Sequence, residues 1–254
     1  MSDLEYIIVS IIGLVIGSFL NVCIYRIPQG ESIVFPPSHC SGCGNSLAVK
    51  DLLPVLSYVM LRGKCRYCKE KIAVQYPLVE LLTGVLFVLV YHEYGLTFEG
   101  IAAAAIVCLL VIASFIDFTH KLIPNKINLI IAAVGIVNVV FGNSITIWDS
   151  LLGLALGGGG LLLPGLLIGW MLRKEAMGGG DIKLTAACGI FLGLQRSLIS
   201  LMLAFYSAAI VLVVMLLFKK LKRDNGIPFG PFLSAGTIAV ILFFEPLSRI
   251  LIGR

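Results

Sequence analysis

The stretch 100–117, GIAAAAIVCLLVIASFID, runs seventeen residues without a charge and then closes on a carboxylate, Asp117. That is about the length needed to cross ~30 Å of hydrocarbon as a helix. It reads as a membrane span, and its reading sets the rest. Similar apolar stretches recur at about 6–26, 76–94, 127–147, 150–172 and 197–218, with shorter or broken ones at 182–195 and 228–248. Hydrophobic residues make up 59% of the chain and mean hydropathy is +1.02, outside the range of soluble domains. The expected fold is an all-α polytopic membrane protein of about eight transmembrane helices. Residues 1–26 form the first helix, 27–75 a small cytoplasmic domain, and 76–254 the remaining bundle.

Charge orients these spans. With the N-terminus outside, sixteen of the nineteen Lys and Arg residues fall in inside segments, and only Arg196, Arg249 and Arg254 lie outside. Both termini are then extracytoplasmic. The first span is expected to stay as an anchor, because Asp3 and Glu5 precede it where a cleaved signal would need basic residues. The net charge of +5 is accounted for by inside loops meeting an anionic leaflet. Membrane lipid is the partner this implies, and no nucleic acid is needed, since no stacking-aromatic pattern accompanies the basic residues.

The one long polar segment, 27–75, has too few residues for a robust apolar core and calls for a staple. Cys40 and Cys43 form one C-x-x-C, and Cys65 and Cys68 a second after 21 intervening residues. Two such pairs let four thiolates converge on one ion, close to zinc-ribbon spacing. Two disulfides are the alternative, disfavoured by a reducing cytoplasm. A four-thiolate sphere is closed, so this zinc would fold the domain and leave the chemistry elsewhere. His39 is a rival ligand. Cys23, Cys108 and Cys188 lie in apolar segments and read as small core residues. The run Gly157 to Gly160 reads as a close helix approach or a flexible point within its span.

Asp117 begins a short polar stretch, Ile116-Asp117-Phe118 to Ile123-Pro124-Asn125, and a second carboxylate, Asp181, follows Gly178-Gly179-Gly180. Carboxylates at membrane depth persist mainly where they face a polar cavity and carry a function. Each has a bland reading. Asp117 could pair with Lys121 one turn on, and Asp181 could cap a helix beginning at Ile182. Three successive glycines argue for close approach of backbone to a substrate or to another segment.

Met177-Gly178-Gly179-Gly180-Asp181-Ile182-Lys183-Leu184 resembles the Gly-x-Gly-Asp signature of the type IV prepilin leader peptidases, which are intramembrane aspartic proteases. Gly17-Ser18-Phe19-Leu20-Asn21-Val22 with Arg26-Ile27-Pro28, then Arg62-Gly63-Lys64-Cys65, Tyr76-Pro77-Leu78-Val79-Glu80-Leu81 and Ile227-Pro228-Phe229-Gly230-Pro231-Phe232 resemble the same family in the same order. The resemblance runs from about residue 13 to 236. Ala176 and Asn125 depart from the common pattern, at positions that touch neither carboxylate.

The resemblance implies a bacterial inner-membrane endopeptidase that removes the short basic leader of type IV prepilins or pseudopilins at the cytoplasmic face. It makes Asp117 and Asp181 the catalytic pair, and 76–254 the protease bundle. It also implies N-methylation of the new terminus with S-adenosylmethionine. Gly178, Gly179 and Gly180 are expected to clamp extended substrate by their backbone amides. Gly63, Lys64 and Glu80 are the candidate contacts for the methyl donor, because no dinucleotide-type glycine fingerprint is present. Lys121 and Lys183 read as solvated basic flanks of the pair. The rival reading is a secondary transporter or metal carrier that uses the two aspartates as ion sites beside broken helices near 178–182 and 226–232.

Overall fold

The computed structural model describes residues 3–142, 145–173, 177–218 and 227–252. The loop bearing Lys219, Lys220, Lys222 and Arg223, on which part of the charge argument rests, lies outside the described residues, as do Lys174, Glu175 and Ala176. Eight α-helices occur among the described residues: α1 (Asp3–Gln29), α2 (Leu56–Met60), α3 (Gln75–Tyr94), α4 (Phe98–His120), α5 (Asn125–Phe141), α6 (Ile147–Leu172), α7 (Gly179–Leu217) and α8 (Gly230–Ile252). Six of them are long and apolar enough to cross a membrane, and the chain is a multi-pass membrane protein. Contacts divide it into two compact units, Met1–Leu96 and Thr97–Arg254.

In the first unit α1 and α3 run antiparallel, as a ladder of contacts records. The Tyr91 hydroxyl donates to Glu5 at 2.7 Å near one end, and Asn21 Nδ2 donates to the Tyr76 carbonyl at 3.1 Å near the other. Between them the helices nearly touch. A Cβ on Gly13 would lie 2.9 Å from the Gly84 Cα, and one on Gly17 2.7 Å from the Glu80 Cα. Small residues spaced by four let two membrane helices approach backbone to backbone, where dispersion replaces the absent hydrophobic drive. Between α1 and α3 the chain forms the cysteine segment, with a 3₁₀ turn at Val49–Asp51 and the single turn of α2.

In the second unit α4 starts at a Thr97 cap, whose hydroxyl accepts the Gly100 N–H at 3.0 Å. α7 is the central element and is a helical hairpin. Gly193 interrupts it with φ 73° and ψ −176°, a conformation reserved for glycine. Thr185 and Leu201 stand eight residues to either side of that break. Both nevertheless lie against one short stretch of α6, at Gly157 and Gly160. A continuous helix would hold them about 24 Å apart, so the chain folds back. The two spans expected at 182–195 and 197–218 are the two arms of this hairpin. Gly153 and Gly157 of α6 admit the backbone of the first arm at Gly189 and Thr185, which gives the glycine-rich span its packing role. Gly135 of α5 takes Ile190 of the same arm, and α8 packs on the second arm through Gly236 and a Ser200–Thr237 hydroxyl pair at 3.0 Å.

Candidate active site and metal centre

Asp117 is one turn from the C-terminal end of α4, where Lys121 takes up a left-handed conformation and donates its backbone N–H to the Asp117 carbonyl at 2.8 Å. That backbone bond is how the two residues meet. The Asp117 carboxylate is turned elsewhere: its Oδ2 accepts the backbone N–H of Gly230 at 2.9 Å. Gly230 is the first residue of α8, so a buried carboxylate sits at a helix N-terminus, where free N–H groups and the helix dipole favour negative charge. The bland alternative, an Asp117–Lys121 side-chain pair, gives way to this contact across 113 residues. A Cβ on residue 230 would stand 2.7 Å from the same oxygen, which is why glycine occupies the position.

Asp181 is half-buried in the first turn of α7. The helix begins at Gly179 with Gly178 as its cap, three residues earlier than a cap at Asp181 would require. The capping reading therefore fails. Glycine is a poor helix former, and its presence here follows from tertiary contact: Gly180 lies under Ile123, whose Cβ would be 3.2 Å from an added methyl. Asn128 of α5 donates to the Gly180 carbonyl at 3.4 Å. These contacts join the end of α4, the start of α5 and the start of α7. Asp181 then stands within electrostatic reach of Asp117. Gly178 and Gly179 remain exposed. Lys183 donates to Asn125 Oδ1 at 3.0 Å, so the amide that departs from the family pattern holds this basic flank.

Three contributors to this site were not singled out from sequence for the role they play. Gly230 was visible in its Pro-Phe-Gly-Pro motif, and Asn128 was visible as an amide inside an apolar stretch. Ile123 carried no distinguishing signal.

Asp149, another acid in an apolar region, serves the turn of the α7 hairpin. Its Oδ1 accepts the Leu194 N–H at 3.1 Å, just past the Gly193 break. It caps the second arm, about 18 Å of helical rise from Asp181.

In the first unit the four cysteines meet. The sulfurs of Cys40, Cys43, Cys65 and Cys68 all lie within 4.8 Å of one another, and Cys40 Sγ is 3.8 Å from Cys68 Sγ. Four thiolates arranged tetrahedrally at ~2.3 Å from one ion stand ~3.8 Å apart, whereas a disulfide requires ~2.05 Å. All seven cysteines are free thiols. The donor set therefore fits a four-coordinate metal ion. Each pair sits in the same turn. Cys40 donates its N–H to the Asn45 carbonyl and Cys65 to that of Glu70, while Gly44 and Lys69 donate back to the two leading cysteines. Gly44 and Lys69 both have positive φ, 70° and 64°. The repeat is thus structural, although the sequences share little beyond the cysteines. Backbone N–H groups of Cys68 and then Tyr67 aimed at the Cys65 sulfur bring that thiol down to about 7, suiting it to be a thiolate ligand. His39 is turned to the Pro37 carbonyl at 3.2 Å and is not in the cluster.

Gly63 follows α2 with φ 68°, and Lys64 pairs through its backbone with Lys71. Glu80 is buried on α3, and its Oε2 accepts the Val55 N–H at 2.7 Å at the start of α2. The three candidate methyl-donor residues thus flank the two ends of α2.

Residues 11–94 match the family described as the bacterial peptidase A24 N-terminal domain, and residues 104–214 match the type IV leader peptidase family. The prepilin leader peptidase/N-methyltransferase of Xanthomonas campestris pv. campestris is 35% identical over 246 residues, covering 88% of this chain and 86% of the relative. Proteins of that name from Pseudomonas putida and Pseudomonas aeruginosa are 34% and 32% identical, each covering 91% of this chain and 88% of the relative. No solved structure matches.

Proposed function

The chain belongs to the type IV leader peptidase family, and from that premise we propose that it cleaves prepilin leaders and methylates the new N-terminus. One observation supports the proteolytic half: Ile123, just past α4, packs on Gly180 beside Asp181, which puts two acids distant in sequence, Asp117 and Asp181, within electrostatic reach of each other. Two carboxylates in mutual reach do not readily ionise together, so one holds a proton while its partner acts as base toward a shared water. The water oxygen bonds to the scissile carbonyl carbon as its proton passes to the ionised carboxylate. The protonated carboxyl gives its proton to the carbonyl oxygen. Collapse of the tetrahedral gem-diol breaks the C–N bond: the proton held by the first carboxylate goes to the leaving amine, and one of the two hydroxyls returns its proton to the second carboxylate, which leaves the acid product and restores the pair. The Gly230 bond occupies Asp117 Oδ2, and we assign Oδ1 to the water. Titration belongs to the pair, so acid and base are not assigned to one residue each.

Gly178, Gly179 and Gly180 line the approach to Asp181. We assign the exposed backbone of the first two to an extended substrate segment, with Gly180 fixing the turn. The charge pattern supports placing this end of the bundle at the cytoplasmic face of the inner membrane, with both termini outside. A basic leader on an apolar substrate helix would meet the pair there. In the segment 27–75, Cys40, Cys43, Cys65 and Cys68 would hold zinc, whose contribution is to the fold of that small domain. S-adenosylmethionine supplies the methyl group when bound. Gly63 and Lys64 are the residues we assign to it, and Glu80 is assigned to hold α2 in place beside them.

Membership of the leader peptidase family weighs against the transporter reading. The charge-derived topology puts both acids at one face, whereas carrier sites favour the middle of the bilayer. The deciding experiment incubates the purified protein with a prepilin and S-adenosylmethionine and weighs the product. Loss of the leader mass establishes the peptidase, and an added methyl mass establishes the transferase. An unchanged prepilin, with the protein folded and metal-loaded, overturns the reading.

A further inference from the structure

The cysteine segment contains an apolar run, Leu52-Leu53-Pro54-Val55-Leu56-Ser57-Tyr58-Val59-Met60-Leu61, inside an otherwise polar stretch. Its single helical turn, α2, holds Leu56, Val59 and Met60 at i, i+3 and i+4, on one face. These three side chains are 62%, 64% and 77% exposed, and Leu52 and Leu53 ahead of them are exposed as well. A small domain that turned such a stripe to water would carry an aggregation liability.

The position of α2 along α3 says what meets the stripe. Val55, immediately before α2, donates its N–H to Glu80. Glu80 is five residues into the membrane-spanning α3, about 7.5 Å along its axis, and side chains of a helix lean back toward its N-terminus. The start of α2 is therefore held at the level of the first turns of a membrane span, which is the boundary between headgroups and acyl chains. Val55 is itself held in a costly conformation. It has φ 60°, where a β-branched residue is an outlier, in a tight turn closed by the Leu56 N–H and the Pro54 carbonyl. Such a conformation persists where surrounding contacts over-determine it, and the buried Glu80 carboxylate is that contact.

We propose that α2, with Leu52 and Leu53, is an interfacial anchor that lies in the plane of the bilayer and buries Leu56, Val59 and Met60 among the acyl chains. Two further observations favour lipid as the occupant. The outward face of α3 at Leu78, Leu81, Leu82 and Val85 is exposed and apolar, so lipid already meets this unit at the same level. Directly after α2 comes Arg62, exposed, in the place where basic residues reach anionic headgroups.

The test uses the full-length protein in nanodiscs of phosphatidylcholine and phosphatidylglycerol whose acyl chains carry bromine at defined depths. Met60→Trp is introduced into a background in which Trp148 and Trp170 are replaced by Phe, so that emission comes from α2 alone, and bound metal is measured to confirm the fold. We expect severalfold quenching by bromine near the headgroup end of the chains, a blue-shifted emission and little quenching by aqueous acrylamide. Strong acrylamide quenching without bromolipid quenching would overturn the proposal by placing the stripe in water. Protection from both quenchers would also overturn it, by showing that protein covers the stripe, whether a second copy or another chain. Val59→Trp in the same background gives an independent readout should Met60→Trp lose its metal.

Discussion

The backbone N–H of Gly230 donates to the Asp117 carboxylate at 2.9 Å, joining the N-terminus of α8 to the end of α4. This bond sets the direction of one acid of the pair, and a Cβ at 230 would stand 2.7 Å from the oxygen it holds. Gly230→Ala should therefore displace the Asp117 carboxylate by about 1 Å, a misplacement that can cost ~100-fold in rate. Leader cleavage measured at saturating prepilin should fall by that order while bound metal is unchanged. Wild-type turnover in Gly230→Ala would show that the carboxylate is oriented by something else.

Asp117→Asn and Asp181→Asn should each remove nearly all cleavage and leave expression and metal content intact, because one carboxylate alone cannot be both acid and base. The double variant should be no worse than either single one, as for residues that act as a unit. Asp181→Glu should lose about 100-fold through displacement of its carboxylate. Near-normal cleavage by Asp117→Asn would remove Asp117 from the mechanism.

Asp149 offers a contrast. It caps the second arm of α7 at Leu194 and stands by the Gly193 break, far from the pair. Asp149→Ala should lower thermal stability by about 1 kcal/mol, as loss of a cap does, and reduce cleavage only modestly. Complete loss of cleavage in a folded Asp149→Ala protein would argue that the hairpin turn communicates with the site.

Cys65→Ser should release the metal and unfold the segment around it, read by elemental analysis and by protease sensitivity confined to 27–75. Asp51 supports that segment by accepting bonds from Arg66 Nε at 2.6 Å, the Tyr67 hydroxyl at 3.1 Å and the Ala48 N–H at 3.2 Å. Asp51→Ala should weaken it by about 1–3 kcal/mol, since three donors lose one acceptor. Metal transfer to a chelator should accelerate accordingly. The Arg66 bond in the first place holds the Asp51 carboxyl below the usual carboxylate range. Its folded-state value is depressed, so the support is present above the ordinary carboxylate value and is lost as pH falls through the acid range below it. Metal release on acidification should begin at higher pH in Asp51→Ala than in the parent protein, and identical release profiles would remove Asp51 from this role.

Close packing between α6 and α7 predicts a different failure. Gly157→Leu would drive a side chain into the backbone at Thr185, one turn from Asp181. Overpacking of this kind costs about 1–3 kcal/mol. Both thermal stability and cleavage should fall, with the metal centre of the other unit retaining its ion.

What the sequence determined by itself was whatever is local along one chain. Span length and hydropathy mark the membrane helices, because crossing hydrocarbon requires about twenty apolar residues in succession. The two C-x-x-C pairs mark a four-thiol cluster able to hold one ion, because the spacing within each pair already suits it. The glycines and the acids at span ends mark a candidate site, because glycine and buried charge are both costly without a use. Tertiary structure decided what depends on residues that sequence separates. Hydropathy and charge place a reversal between the spans at 182–195 and 197–218, but not its pivot at Gly193, which rests on a left-handed φ and on Asp149, 45 residues away from Leu194. Propensity argues against starting α7 at Gly179, and the glycine at 180 answers to tertiary contact: an added Cβ would come within 3.2 Å of Ile123, and Asn128 holds the carbonyl. The partner of Asp117 likewise lay beyond local reading. Lys121 was the nearest charge along the helix, but a left-handed residue ends α4 there, and the carboxylate turns instead to a backbone amide brought in by the packing of α8.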